Sequence, residues 1–435
     1  MKLSQFNNTV VYDNSFVIYN AFNNRFLPVD PLHNDLIESA KMNGNIDELL
    51  IYAPILYIDM IEKGFIVSDT TDEIQKVKDV QAKVDQEDDT LYRLIINPTM
   101  NCNFKCWYCY ESHIKDSKME EETIDQVMKH IEGVIQRMPR IKNFYISWFG
   151  GEPLLYFDRV IDPIMNYASN LFNERHISFH TDFTTNGYLI NERMIEKFHS
   201  YNISNFQITL DGNRENHDKV RYVSSKRGSY DEIVENILTL CRSKLAVSLR
   251  INYTKQNLEH LEIIVYDLFP LEEEYRKYLM ISFHKVWQEE DLTLGTRIKD
   301  LRLFFKSHGF RTVNGDIPNT LRESCYADRN NHATINYNGE VFKCTARNFS
   351  SDSKEGDLQE DGSIVWNEKL DKRMNIKFRN KPCLSCPILP ICNGGCSQVA
   401  IESKGEDYCV YNFDEQRKKE IVLEKYLQKM SFSTI

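Results

Sequence analysis

The sequence predicts an α/β protein, and three features of the chain lead there. From Tyr92 onward, strand-like runs alternate with helical ones: Tyr92 to Pro98, Asn143 to Phe149, Ile177 to Thr184, Asn205 to Leu210, Ala246 to Tyr253 and Tyr278 to Lys285. The first ninety residues follow another order, with strand-like runs at 15–20 and 25–30, helical stretches at 32–42 and 46–63, and a third strand from Phe65 to Val67 after the helix-ending Gly64. The last hundred or so residues hold most of the cysteines.

At 435 residues the chain has room for two or three domains. Residues 1–70 are expected as a winged-helix-like unit, 71–91 as a charged linker, 92–308 as the alternating core, 309–320 as a bridge, 321–412 as a cysteine-rich domain and 413–435 as a closing amphipathic helix. Met1 to Tyr19 lacks a signal-peptide pattern and no apolar run is long enough to cross a bilayer, so a cytoplasmic location without membrane contact is expected. In that reducing compartment eleven cysteines read as metal ligands rather than disulfides. A formal charge of −11 argues against a nucleic-acid partner, which demands a cationic face.

Ten of the eleven cysteines form two constellations. Cys102, Cys106 and Cys109 make a Cys-x3-Cys-x2-Cys run directly after a predicted strand. Three thiolates can hold three corners of a four-iron cluster and leave one iron for a small-molecule ligand, whereas structural zinc takes four protein ligands. His113 is the one nearby residue that would complete a zinc set. The second constellation runs from Cys325 through Gly339 and Cys344 to Cys383, Cys386, Cys392, Cys396 and Cys409. Asn338-Gly339 lies between two short strand-like runs and is the favoured dipeptide of a two-residue hairpin turn, which would deliver Cys344 in fixed register. Cys241 is left over in an apolar helical stripe and is expected as a buried thiol.

The cysteine run resembles the radical S-adenosylmethionine (radical SAM) signature, and Trp148-Phe-Gly-Gly-Glu-Pro153 resembles that family's Gly-Gly-Glu-Pro motif. The resemblance implies a partial (β/α)6 TIM-like barrel, a [4Fe-4S] cluster on Cys102, Cys106 and Cys109, and SAM held near Gly150, Gly151, Glu152 and Pro153. It puts the SAM carboxylate on Thr209 and Arg221, adenine near Tyr108 and ribose near Asn186, a residue that Asn-Gly turn chemistry explains equally well. The second constellation resembles the seven-cysteine SPASM extension. Carried over, auxiliary cluster I takes Cys325, Cys344 and Cys396, and auxiliary cluster II takes Cys383, Cys386, Cys392 and Cys409, for three [4Fe-4S] clusters in all.

The N-terminal element order is similar to the leader-recognition unit of peptide-modifying radical SAM enzymes, which implies a precursor peptide bound through its leader and a flavodoxin- or ferredoxin-type electron donor. In the family, the SAM-binding cluster donates one electron, and SAM yields methionine and a 5'-deoxyadenosyl radical that takes a hydrogen atom from the substrate. An intramolecular peptide cross-link is the expected product, thioether ahead of carbon-carbon. No cysteine in 317–324 completes cluster I, which leaves a position for a substrate thiolate, water or His332. An anaerobic sulfatase maturase forming formylglycine is the alternative, but Thr345 follows Cys344 where those enzymes carry an acid. A zinc-stabilised winged-helix binding protein is the alternative of another class, and iron and sulfide content separates it.

Three clusters amount to about twelve irons per chain. The combined Cys102→Ala, Cys106→Ala and Cys109→Ala variant should retain about eight and release no 5'-deoxyadenosine. Iron analysis and chromatography of the reaction mixture check both.

Overall fold

The computed structural model describes residues 1–289, 295–313 and 324–432. The expected 309–320 bridge therefore lies largely outside the described residues. The chain forms two compact units. The first comprises Met1–Asp88, Asp316–Asn330 and Asp371–Ile435, and the second Asp89–Gly315 and Asn331–Leu370.

In the first unit, β1 (Lys2–Leu3) pairs antiparallel with β5 (Ile66–Val67), while β2 (Asn7–Tyr12), β3 (Ser15–Asn20) and β4 (Arg25–Val29) form an antiparallel sheet in that order. The third strand of the expected winged element thus joins Lys2–Leu3 instead of the hairpin. Hydrogen bonds from Ser4 N and Asn7 Nδ2 to Phe65 O, 2.9 and 2.8 Å, hold it there. The helical stretch expected at 46–63 is broken into Ile46–Glu48, Leu49–Tyr52 and Pro54–Glu62. Ala53 sits at φ −148°, ψ 65°, because the ring of Pro54 disfavours helical geometry in the residue before it.

Residues 71–91, expected as a linker, contain the helix Glu73–Ala82, N-capped by Asp72 through Gln75 N at 2.9 Å. This helix buries Val77 in a core shared by Val10, Val17 and Tyr19 of the sheet, Ile388, Leu389 and Ile391 beside the cysteines, and Ile421, Val422 and Tyr426 of the C-terminal helix Glu415–Phe432. The opposite face of the sheet, through Ile18, Leu27 and Val29, packs on the helices between 31 and 62. The N-terminal element, the four-cysteine segment and the closing helix are therefore parts of one packed unit.

The second unit is built on one large sheet. Strands β6 (Leu91–Ile96), β7 (Asn143–Trp148), β8 (Ser178–Thr185) and β9 (Ile203–Leu210) come first, and a small hairpin of β10 (Tyr222–Ser224) and β11 (Arg227–Gly228) follows outside it. The sheet continues with β12 (Val247–Tyr253), β13 (Leu279–Lys285), β14 (Arg311–Thr312), β15 (His332–Ile335), β16 (Glu340–Phe342), β17 (Gly356–Leu358) and β18 (Ile364–Trp366). Its order is β14-β13-β12-β9-β8-β7-β6-β15-β16-β17-β18, parallel from β14 through β15 and antiparallel beyond. All six predicted strands are present, and β15 adds a neighbour to β6 that the alternation did not suggest.

Alternation sets the two faces of this sheet. Phe206, Ile208 and Leu210, with Val247, Leu249 and Ile251, are buried in the main core, while Gln207, Thr209, Arg250 and Ser282 occupy the other face. Cys241 is fully buried in the helix Tyr230–Arg242. The β15–β16 hairpin differs from the two-residue turn expected of Asn338-Gly339. Asn336 N bonds to Glu340 O and Gly339 N to Asn336 O, and Gly339 but not Asn338 takes a positive φ, the signature of a three-residue loop.

His130 is buried in the helix Glu121–Arg137, with Nε2 2.9 Å from the Tyr92 hydroxyl and Nδ1 2.8 Å from Gly362 O. Burial, opposed by the bond to Gly362, pushes it down to about 4. The unfolded chain then takes up this proton at a higher pH than the folded one. The stabilisation is full above about pH 6.5 and is lost as pH falls towards 4, by about 3 kcal/mol. Urea unfolding at pH 7 and pH 4.5 should show that loss, and His130→Gln should reduce the difference between the two.

Candidate active site

The cysteine run occupies an irregular loop after β6. The loop is anchored by Met119 N to Pro98 O at 2.8 Å, Ile114 N to Met100 O at 3.1 Å and the buried ring of Phe104. Cys102 and Cys106 are half-buried and Cys109 is exposed. Burial pushes the Cys102 thiol up to about 12 and raises Cys106, where the nearby Arg221 charge opposes it. His113 Nε2 lies 3.6 Å from Cys109 Sγ.

The segment after β7 packs directly on this loop. Gly150 has φ +99°, and a Cβ there would sit 2.5 Å from Thr99 O; a Cβ on Gly151 would sit 2.2 Å from Asn101 O. Glycine is required because two backbones meet. Gly151 N donates to Thr99 O at 3.0 Å and Glu152 N to Asn101 O at 2.8 Å. The Glu152 carboxylate is fully buried and accepts from Leu154 N at 3.0 Å, Thr185 Oγ1 at 2.7 Å and Asn186 N at 2.8 Å. Burial raises its pKa and these donors counter the rise. Its side chain thus holds the β8 end to the motif, and Pro153 opens the short helical turn Pro153–Tyr156.

Asn186 does two things at once. Oδ1 accepts from Tyr188 N at 3.0 Å, a turn, and Nδ2 donates to Asn103 Oδ1 at 2.7 Å within the cysteine loop. Tyr108 closes the other side: its hydroxyl donates to Asp211 Oδ1 at 2.5 Å and accepts from Arg221 Nη2 at 2.8 Å and Asn252 Nδ2 at 3.1 Å. Arg221 Nε meets Asp211 Oδ2 at 2.6 Å, with side-chain exposures of 11% and 2%. Thr209 lies on β9 in register with Arg250 of β12. Asp211 and Asn252 were not singled out from sequence. Asp211 lies two residues after Thr209, just past the end of β9, and Asn252 is visible in the sequence only as a polar residue alternating on its strand.

Cys344 lies in the same unit, after β16. The loop behind it joins the loop behind Cys109 through Tyr110 Oη to Thr345 O and Ser112 N to Asn348 Oδ1, both 2.9 Å. His332 is buried in β15 with Nε2 2.9 Å from Lys343 O and Nδ1 3.2 Å from Arg93 O.

In the first unit Cys383, Cys386, Cys392 and Cys409 line one pocket with Tyr408, Tyr411 and Lys418. Asn380 Nδ2 points at Cys383 Sγ from 3.0 Å, and Asn393, Gly394 and Gly395 bend the chain there through positive φ. Among the described residues no three His, Cys, Asp or Glu side chains close on a single ion. Four thiols around a pocket suit a larger inorganic core. Cys325 and Cys396 belong to this unit and are exposed.

Residues 96–267 match the radical SAM superfamily. The chain carries a radical SAM domain. A radical SAM domain implies SAM and one [4Fe-4S] cluster, and three thiols on one loop beside a glycine-lined backbone fit both. Among curated relatives, the chain is 29% identical over 177 residues to the cysteine-type anaerobic sulfatase-maturating enzyme of Clostridium novyi, covering 40% of this chain and 47% of that protein. It is 25% identical over 227 residues to the radical SAM cyclopropyl synthase TigE of Paramaledivibacter caminithermalis, covering 46% and 47%. It is also 25% identical over 323 residues to the mycofactocin maturase MftC of Mycolicibacterium smegmatis, covering 68% and 76%. The chain thus spans about half the length of the first two.

Two solved structures share the radical SAM fold. Native anSMEcpe with bound AdoMet and Cp18Cys peptide has TM-score 0.56 at 17% identity, over 79% of this chain and 99% of that one. Streptococcus suis SuiB has TM-score 0.52 at 16% identity, over 94% and 98%.

Arg221→Lys keeps a charge near Cys102 and Cys106 but loses the planar fork that meets Asp211 and Tyr108. SAM affinity should weaken by about 1–2 kcal/mol. Calorimetry on reconstituted protein measures it, and an unchanged affinity would place Arg221 outside the SAM site.

Proposed function

We propose that the chain is a radical SAM peptide maturase that installs an intramolecular cross-link, thioether ahead of carbon-carbon, in a ribosomally made precursor. The observation that carries this reading is the first unit, where a candidate peptide-docking surface and the four-cysteine pocket are built on opposite faces of one three-stranded sheet. Relatives named as mycofactocin maturase and cyclopropyl synthase, and a SuiB structure described as bound to precursor peptide SuiA, support a peptide substrate.

In this reading Cys102, Cys106 and Cys109 hold the SAM-binding cluster, and the carbonyls around Gly150 and Gly151 accept from the SAM ammonium. Thr209 and Arg221 meet its carboxylate, with Tyr108 beside the adenine and Asn186 beside the ribose. When bound, cluster and SAM supply hydrogen-atom abstraction. The protein's part is orientation and the exclusion of water.

Cys383, Cys386, Cys392 and Cys409 would hold one auxiliary cluster, and Cys325, Cys344 and Cys396 would serve the other. A flavodoxin- or ferredoxin-type protein would supply the electron. His332 is fully buried and neutral, with its single N–H donated to Lys343 O or Arg93 O, which removes one competitor for an open iron and favours a substrate thiolate there. The sulfatase-maturase reading keeps the support of the Clostridium novyi relative. It is weakened by Thr345 at the position where an acid is needed.

The leader would dock on the N-terminal element. Among the described residues β4 pairs on one side only, which leaves an edge for an added strand. The helices Leu49–Tyr52 and Pro54–Glu62 expose Leu50, Ile51, Tyr52, Ile55 and Ile58, with Ile51 74% and Ile55 84% exposed. Because this element shares its core with the four-cysteine segment, removing it would disturb that segment, and surface substitutions are the sound test. Ile51→Asp with Ile55→Asp should keep the iron content and uncoupled SAM cleavage while weakening precursor affinity about tenfold or more. Full-rate modification of the precursor by that variant would sink the leader assignment.

A further inference from the structure

On the polar face of the main sheet Arg250 makes no ion pair among the described residues, and the charge of Asp211 reaches it only at longer range. Arg250 is half-buried in β12, flanked in register by Thr209 of β9 and Ser282 of β13. Its Nε donates to Asn252 Oδ1 at 2.8 Å, and no other hydrogen bond or ion pair to it is present among the described residues. The carboxylates of this face are taken: Asp211 meets Arg221 at 2.6 Å and Tyr108 at 2.5 Å, and Asp182 accepts from Ser147 Oγ at 2.8 Å. Burial pulls the Arg250 pKa down, as expected of a guanidinium that has left water. A cation in that position is costly until a carboxylate or phosphate meets its two free nitrogens, and a carboxylate can do so through both oxygens.

Asn252 fixes where this guanidinium sits. It accepts from Arg250 and donates to the Tyr108 hydroxyl at 3.1 Å, so Arg250 is one side chain removed from the Tyr108–Asp211–Arg221 group assigned to SAM. Two residues along β13 from Ser282, His284 Nε2 lies 3.0 Å from the Ser282 hydroxyl. Thr209, assigned to the SAM carboxylate, and Ser282, whose hydroxyl donates to Leu249 O at 3.5 Å, flank the arginine on the two neighbouring strands, so the guanidinium itself is the donor left for a further carboxylate.

We propose that Arg250 is the specificity residue of a carboxylate subsite beside the SAM site, and that it takes an acidic group of the substrate. The proposal rests on the peptide-maturase reading for its ligand: the modified region of the peptide carries an Asp, a Glu or a free C-terminus close to the reacting residue. SAM is the other source of a carboxylate within reach of this face, and the test separates the two.

The reconstituted holoenzyme would be treated with phenylglyoxal, which modifies accessible arginines, and labelling of Arg250 read by peptide mass spectrometry. It would be labelled alone, with SAM, and with SAM plus acetylated tetrapeptides containing Asp or Glu or the matching Asn or Gln. SAM alone should leave Arg250 reactive, acidic peptides should lower its labelling several-fold, and their amide counterparts should not. Arg250→Met should bind SAM within twofold of the unaltered protein. Protection by SAM alone, or SAM binding lost in Arg250→Met, would assign the carboxylate to the cofactor and overturn the proposal. Equal labelling with acidic and amide peptides would overturn it as well. Selective protection without any cross-linked product would keep the subsite and remove the maturase reading.

Discussion

The Glu152 carboxylate is the constraint on which the candidate site depends. It is buried with no ion pair among the described residues, only the more distant charge of Arg221, and is kept in place by two backbone N–H groups and the Thr185 hydroxyl. Those donors come from the turn after β7 and from the end of β8, while its own N–H bonds to Asn101 O in the cysteine loop. One residue therefore ties three loops at the same edge of the sheet. A buried carboxylate is worth its desolvation only when every donor is in place, so this arrangement tolerates little displacement of any loop. The glycines before it serve the same end, since only bare backbone can approach Thr99 and Asn101 so closely.

A second, electrostatic constraint sits opposite. Asp211, Arg221 and Tyr108 form a compact buried group in which each charge or hydroxyl has a partner. Because Asp211 already balances Arg221, the arginine is held in a fixed pose before any ligand arrives. Preorganisation of this kind lowers the ordering cost of binding.

Six parallel strands of the main sheet were legible within a residue or two, because buried β-strands carry apolar runs or a period of two that few other structures share; the short strands β14, β17 and β18 were not. Spacing marked the cysteines as candidate ligands, and Cys383, Cys386, Cys392 and Cys409 do come together around one pocket. The break at Ala53 was written in Pro54, though a continuous apolar pattern on both sides obscured it. What sequence could not show were the long-range partners. Nothing local announces that β15 lies beside β6, or that Val77 packs with Ile388 and Ile421. The role of Glu152 was hidden for a similar reason: its motif marks a ligand-binding segment, but its carboxylate faces the protein. Arg250 belonged to no motif, and its place between Thr209 and Ser282, bonded only to Asn252 among the described residues, is visible only in the fold.

The shared core of the first unit bears on how the chain is made. Tyr19 and Val17 need Ile388, Ile421 and Tyr426 to cover one face of their sheet, and those residues are about 370 to 410 positions later. During synthesis the second unit can complete its sheet through β13 while the early strands remain without that cover. The four-cysteine pocket rests on the same core, so its walls are finished only when the last helix emerges. Closing so long a loop is slow, and apolar strands left waiting are prone to wrong pairings. Maturation of this enzyme is thus expected to depend on chaperones or on slow translation near its end more than the parallel sheet would by itself.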